Sequence, residues 1–172
     1  MKNAMRVTLR SVMKSNSPLT VRPKNMIIGF LGGAISIGLL ALFTMYGNGI
    51  WIMAPFGASC VLAFGLWDAP LSQPRNIIGG HLVSSITGLA VLNIWGDGEW
   101  AMAVAVGASI SLMQLTRTTH PPAGADPLVI MMSGSSWSFL LTPVLAGAVV
   151  IVVVALIVNN VARDRKYPTF WW

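Results

Sequence analysis

Few side chains in this sequence can do chemistry, and they fall in short runs. His81 and His120 are its histidines, and an imidazole near neutral pH can carry a proton or donate a hydrogen bond to an anion. Arg75 and Asn76, in Ser72-Gln73-Pro74-Arg75-Asn76, precede His81 by about one and a half helical turns. Arg117, Thr118 and Thr119 lead directly into His120-Pro121-Pro122. Ser59 closes the run Pro55-Phe56-Gly57-Ala58-Ser59, and Asp126 closes Pro122-Ala123-Gly124-Ala125-Asp126. Each has a plainer reading: a snorkelling anchor for Arg75, a core histidine satisfied by a carbonyl for His81, a polar edge loop for Arg117 to His120, helix capping for Ser59 and Asp126. HExxH, GxSxG, P-loop and GxGxxG patterns and paired carboxylates do not occur, so enzymatic apparatus is not visible. Cys60 stands alone, which excludes an internal disulfide or a CxxC metal site. The expectation is a protein that is not an enzyme and holds no metal or cofactor.

The elements that must position these residues are membrane helices. The 172 residues are 55% hydrophobic and 9% charged, with a mean hydropathy of +0.71. Six apolar segments follow a basic start: 25–46, 50–67, 77–95, 100–115, 123–132 and 137–158. The fifth is too short to cross a bilayer as a helix alone. Residues 1–24 carry Lys2, Arg6, Arg10, Lys14, Arg22 and Lys24 with no acidic group, which predicts a cytoplasmic tail, either frayed or an amphipathic helix on an anionic leaflet. Most of the net charge of +6 sits in this tail and in residues 161–172, where it sets topology rather than a nucleic-acid surface. With six crossings and both termini cytoplasmic, Arg75 and Arg117 face inward and Asp97 and Glu99 outward. The alternative, segments two and five as re-entrant hairpins, leaves four true spans and puts both arginines outside.

An offset of 67 residues aligns the two Pro-initiated runs, each with one span before and one after it. Three crossings per half is an odd number, which predicts an inverted repeat of the kind found in transporters. Proline lacks an amide donor, favours extended backbone just before it and suits the first turn of a helix. Broken half-helices are therefore expected at Pro55 and Pro122, their positive ends meeting at a cavity where amides near Gly57-Ala58 and Gly124-Ala125 would attract an anion. Small residues four apart, at Gly29 and Gly33, Ala34 and Gly38, and Ala103, Gly107 and Ser111, are expected to pack the protomer's own bundle, with a homo-oligomer interface as the alternative.

At Thr119-His120-Pro121-Pro122-Ala123-Gly124-Ala125 the sequence resembles the HPP family of integral membrane proteins. The likeness extends to Pro55-Phe56-Gly57-Ala58-Ser59, Gln73-Pro74-Arg75-Asn76, Gly79-Gly80-His81, Asn159-Asn160 and Tyr167-Pro168. It departs from the family at Asp126-Pro127, where small or hydroxylated residues are common. The family's membrane domain is described as four-spanning, fewer than the six segments counted here; short broken helices are easily missed by hydropathy. Plant plastid members are associated with nitrite transport, and some members carry an appended soluble domain, which is not expected here. The resemblance implies a membrane domain over residues 25–160 and a transporter or channel for a small inorganic anion, nitrite first. The binding residues expected are Gly57, Ala58, Ser59, Arg75, Asn76, His81, Arg117, Thr118, Thr119, His120, Gly124 and Ala125, with His81, His120 and Asp126 as proton-coupling candidates. A bacterial inner membrane is the expected setting. A non-transporting scaffold and a haem-binding redox protein are the competing readings.

Overall fold

A computed structural model describes residues 22–47, 49–162 and 164–171. The expectation for the basic start falls mainly on residues 1–21, outside the described residues. Among the latter the structure is all helical: α1 (Pro23–Tyr46), α2 (Ala54–Cys60) continued by a π-turn over Val61–Gly65, α3 (Pro74–Trp95), α4 (Glu99–Leu115), α5 (Asp126–Ser133) entered through a 3₁₀ turn over Pro121–Ala125, and α6 (Ala146–Val161). The helix α1, the helix α3 and the stretch Trp137–Val161 are long and apolar enough to cross a membrane.

Both predicted breaks are present. Met53 caps α2 in extended geometry (φ −134°, ψ 148°) with Pro55 in the first turn, and His120 is extended (φ −138°, ψ 103°) ahead of Pro121. Proline disfavours helical backbone in the residue before it, which accounts for His120. The sixth segment carries a further break. Thr142 is extended (φ −138°, ψ 118°) ahead of Pro143, and a regular helix resumes only at Ala146. The fifth segment starts as a 3₁₀ turn at Pro121, so its α-helical part is eight residues long.

The helix α3 is the hub, packed on α4, α5, α6 and the turn ahead of α5. Its buried face carries Asn76, His81, Ser84, Ser85 and Thr87 among apolar neighbours. Such a polar face is tolerated in a lipid-borne helix only when turned toward protein. The lipid-facing surface is apolar, with Phe30 at 74% exposure, Ile94 at 86% and Leu115 at 78%. The core gathers Phe56 and Phe64 from the broken second segment with Leu40, Ile77, Val144 and Ile151. These two rings lie where a Cβ on Gly147 or Gly32 would stand, 2.2 Å from Phe56 and 2.3 Å from Phe64. The glycines that seat the bundle are therefore Gly32 and Gly147. Ala34, Gly38, Ala103, Gly107 and Ser111, expected inside, are exposed, and a Cβ on Gly29, Gly33, Gly38 or Gly107 would meet nothing within 4 Å. Spacing alone marked a small face without saying which way it points.

One end of the bundle is tied by the segment 164–171. Arg165, 6% exposed, donates to Phe64 O (3.1 Å), Asn159 Oδ1 (2.7 Å) and Asn25 Oδ1 (3.0 Å). Tyr167 Oη donates to Ser72 O at 2.8 Å, and Thr169 N to Gln73 Oε1 at 2.8 Å. Burial pushes the Tyr167 phenol above its usual pKa. Lys24 and Asp164 pair at the exposed edge of the same end.

Candidate functional site

Where the two broken segments meet, four side chains with no exposed surface form one chain of contacts: Ser59, His81, His120 and Asp126. Ser59 is carried by α2 and points across to α3, where His81 Nε2 lies 2.8 Å from its Oγ. His120, at the extended residue ahead of Pro121, places its own Nε2 2.9 Å from the same Oγ. His81 Nδ1 lies 2.8 Å from Asp126 Oδ2 at the start of α5, and Ser85 Oγ donates to that oxygen at 3.2 Å. His120 Nδ1 faces Leu71 O at 2.8 Å. The carbonyl can only accept, so Nδ1 carries the proton there. The rings of His81 and His120 stand edge to face, centroids 5.1 Å apart.

The surroundings hold this arrangement from both sides. Ser84 Oγ donates to Ala123 O at 2.6 Å, and Asn76 Nδ2 donates to Thr119 O at 2.9 Å. Arg75 donates to Thr116 O at 3.0 Å, while Thr116 and Thr118 share a hydroxyl contact at 2.8 Å. Arg75 and Asn76 thus secure the loop that delivers His120. Arg117 is exposed and in the left-handed region (φ 56°). Gly80 lies under His120 so closely that an added Cβ would be 2.6 Å from His120 Cβ and 2.8 Å from Thr118 O. A backbone carbonyl cannot step aside as a side chain can. Gly80→Ala is expected to lower stability by about 1–3 kcal/mol through overpacking, read as the thermal midpoint of the detergent-solubilised protein. Gly107→Ala, which has open space around it, serves as the neutral control.

The amides expected to face an anion are placed differently. The helix α2 starts at Ala54, so Gly57 and Ala58 lie beyond its first turn, where amides enter the helix's own ladder. Gly124 and Ala125 belong to the 3₁₀ turn. The space between the two starts is filled by the side-chain cluster. Beside it a shallow apolar groove of about 420 Å³ runs between Ala58, Val61 and Leu62 on one start and Pro121 and Pro122 on the other.

Ser59, His81 and Asp126 have the mutual distances of a nucleophile, its base and an orienting acid. Ser59 Oγ, however, already meets His81, His120 and, at 3.2 Å, Pro55 O, and nothing of it is exposed. A haem would need the two imidazoles on opposite sides of a flat slot; instead both Nε2 atoms converge on one hydroxyl. What the geometry provides is one buried hydrogen-bonded chain of a carboxyl, two imidazoles and a hydroxyl, able to hold a proton.

Gln73 and Arg165 were outside the sequence-predicted site. Gln73 is fully buried and donates to Trp67 O (3.0 Å) and Ala69 O (2.9 Å). It thereby shapes the loop that presents Leu71 O to His120. Its place within Gln73-Pro74-Arg75-Asn76 was the available signal.

Comparison with known proteins places the chain in a family of membrane proteins. A family model for the HPP transmembrane region matches residues 18–168. A transmembrane protein of Dictyostelium discoideum is 42% identical over 129 residues, covering 70% of this chain and 45% of that relative. A second transmembrane protein of the same organism is 38% identical over 168 residues, covering 91% of this chain and 54% of the relative. The chain spans about half the length of the curated relatives it matches. No solved structure matches it. The matched span takes in both broken segments, the buried histidines and the tying segment through Pro168, and the chain belongs to the HPP transmembrane family.

Proposed function

We propose that this chain moves a small inorganic anion, nitrite first, across a membrane, along the seam between two inverted halves that each contribute a broken segment. The observation that carries the reading is the fully buried cluster of Ser59, His81, His120 and Asp126 joining those two segments. Ionisable groups inside a membrane bundle are costly, and their usual justification is a path for ions or protons. An imidazole N–H is the kind of donor that a planar oxyanion needs, though in the resting cluster each ring nitrogen already meets Ser59, Asp126 or Leu71 O, and Arg75 and Arg117 at one end raise the local concentration of anions. That end is read as cytoplasmic, with both termini, because basic residues collect there.

The test is uptake by vesicles reconstituted with the purified chain. Nitrite is expected to enter them at a rate well above that of protein-free vesicles, with the excess proportional to protein content. Equal rates in the two preparations would dispose of the proposal and favour a non-transporting scaffold.

A further inference from the structure

The contacts within the cluster fix how many protons it holds. Two neutral imidazoles, one hydroxyl and an ionised carboxylate bring three protons to the chain that runs from Leu71 O to Asp126. One belongs on His120 Nδ1, since Leu71 O faces it at 2.8 Å. With His120 neutral, its Nε2 is an acceptor and takes the proton of Ser59. The Ser59 hydroxyl has no second proton for His81 Nε2, so that nitrogen must itself carry one and donate to Ser59 Oγ at 2.8 Å. The contact at the far side of the ring, His81 Nδ1 to Asp126 Oδ2 at 2.8 Å, then needs a proton of its own, on either atom. The total is four. Turning the hydroxyl toward His81 instead leaves the total unchanged, because His120 Nε2 must then be protonated. Turning it to Pro55 O puts protons on both Nε2 atoms and raises the count. With three protons, two lone pairs would face each other at hydrogen-bond distance inside a fully buried cluster, a costly arrangement.

We infer that the chain Asp126–His81–Ser59–His120 stores one exchangeable proton and that the Ser59 hydroxyl passes it between the two imidazoles, linking solute passage at this site to proton movement. In the hand-over the His81 Nε2–H bond breaks and its proton goes to Ser59 Oγ. The hydroxyl's own proton leaves for His120 Nε2. His81 Nδ1 holds the fourth proton during this step, taking it from Asp126 where it rests there, so Ser59 ends with one proton as it began and the positive charge has moved from one ring to the other. The stored proton offsets the charge of Asp126, so the resting cluster is neutral overall, as a fully buried group of this kind requires. Asp126 Oδ1 is buried without a partner, leaving a free acceptor at the inner end of the chain for the proton of an arriving solute or water. Arg75, the cation on α3, donates to Thr116 O.

The link to solute passage rests on the transport reading; the proton count does not. The full chain, labelled with ¹⁵N-histidine, is placed in phosphatidylcholine–phosphatidylglycerol bilayers and examined by solid-state NMR and infrared spectroscopy. The expected result is either a third protonated ring nitrogen or a protonated carboxyl band that disappears in Asp126→Asn. Two neutral rings beside an ionised carboxylate would overturn the inference. In vesicles carrying a trapped pH indicator, nitrite entry is expected to bring protons with it, and Ser59→Ala to reduce that proton movement at least tenfold. Nitrite entry without protons in the unaltered protein overturns the linkage and leaves anion transport standing. The four-proton signature in a protein that moves no nitrite overturns the transport reading and keeps the stored proton.

Discussion

Alanine at position 120 is expected to bring nitrite uptake down to the rate of protein-free vesicles. His120 joins two otherwise separate parts of the molecule. Its Nδ1–H satisfies Leu71 O in the loop ahead of α3, and its Nε2 meets Ser59 on the opposite broken segment. Truncation removes both links and leaves a hole where a fully buried ring stood. The orphaned Leu71 carbonyl alone costs about 1–3 kcal/mol, so His120→Ala also loses stability and a second variant must separate fold from function. Asparagine supplies an amide donor near the position of Nδ1 but nothing near Nε2. His120→Asn is therefore expected to recover most of the thermal midpoint while uptake stays at background. Uptake by the folded asparagine variant at the wild-type rate would show that the contact with Ser59 is structural and that the passage lies elsewhere.

How far the sequence anticipated this site depends on which physical rule was at work. Both breaks at Pro55 and Pro122 were legible, because proline acts on its neighbours whatever the tertiary surroundings. The same rule applied to Pro143 predicts the extended Thr142, but an apolar run of that length reads as an unbroken span. Segment limits agree closely: the predicted 25–46 and 100–115 are helices Pro23–Tyr46 and Glu99–Leu115. Hydrophobic length is a property of the chain itself. Which way a small residue faces is not, and the exposed Gly107 and the tightly seated Gly147 look alike in sequence. Ser59, His81 and His120 were expected among the binding residues, and His81, His120 and Asp126 as proton-coupling candidates, but which of them touch was not legible. That they touch is a tertiary fact, bringing together residues 61 positions apart in the case of Ser59 and His120. The amides of Gly57 and Ala58 are not left open toward a shared pocket, for a local reason. With α2 starting at Ala54, the amides of Gly57 and Ala58 are committed to the helix ladder.

Arg165→Ala is expected to cost about 3–5 kcal/mol, the largest stability loss of any tail substitution. As part of a basic C-terminal stretch this arginine reads as a topology signal, which would make it a solvated and nearly neutral position. Its guanidinium instead serves Phe64 O, Asn159 Oδ1 and Asn25 Oδ1 at once, drawing together the end of the π-turn, the end of α6 and the start of α1. Asn159 is held on its other side by donating to Ala63 O at 3.0 Å. The guanidinium also lies over the Trp67 ring, 5.7 Å from its centroid. Burial lowers the arginine's pKa, and Asp164 and Asp68 partly restore it, so the group stays charged and removing it leaves three acceptors without their donor. For a chain of this size the loss corresponds to a fall in thermal midpoint of roughly 10 °C. Arg165→Lys is expected to recover only a minor part, since one ammonium cannot serve three acceptors spread across a planar fork. Lys24→Ala, which breaks the exposed pair with Asp164, is expected to change stability by less than about 1 kcal/mol. A midpoint for Arg165→Ala equal to that of Lys24→Ala would mean that the segment 164–171 merely rests on the bundle. The larger loss would mean that it holds the loop of Ser72 and Gln73 in place through Tyr167 and Thr169, and with that loop the carbonyl of Leu71 on which the orientation of His120 depends.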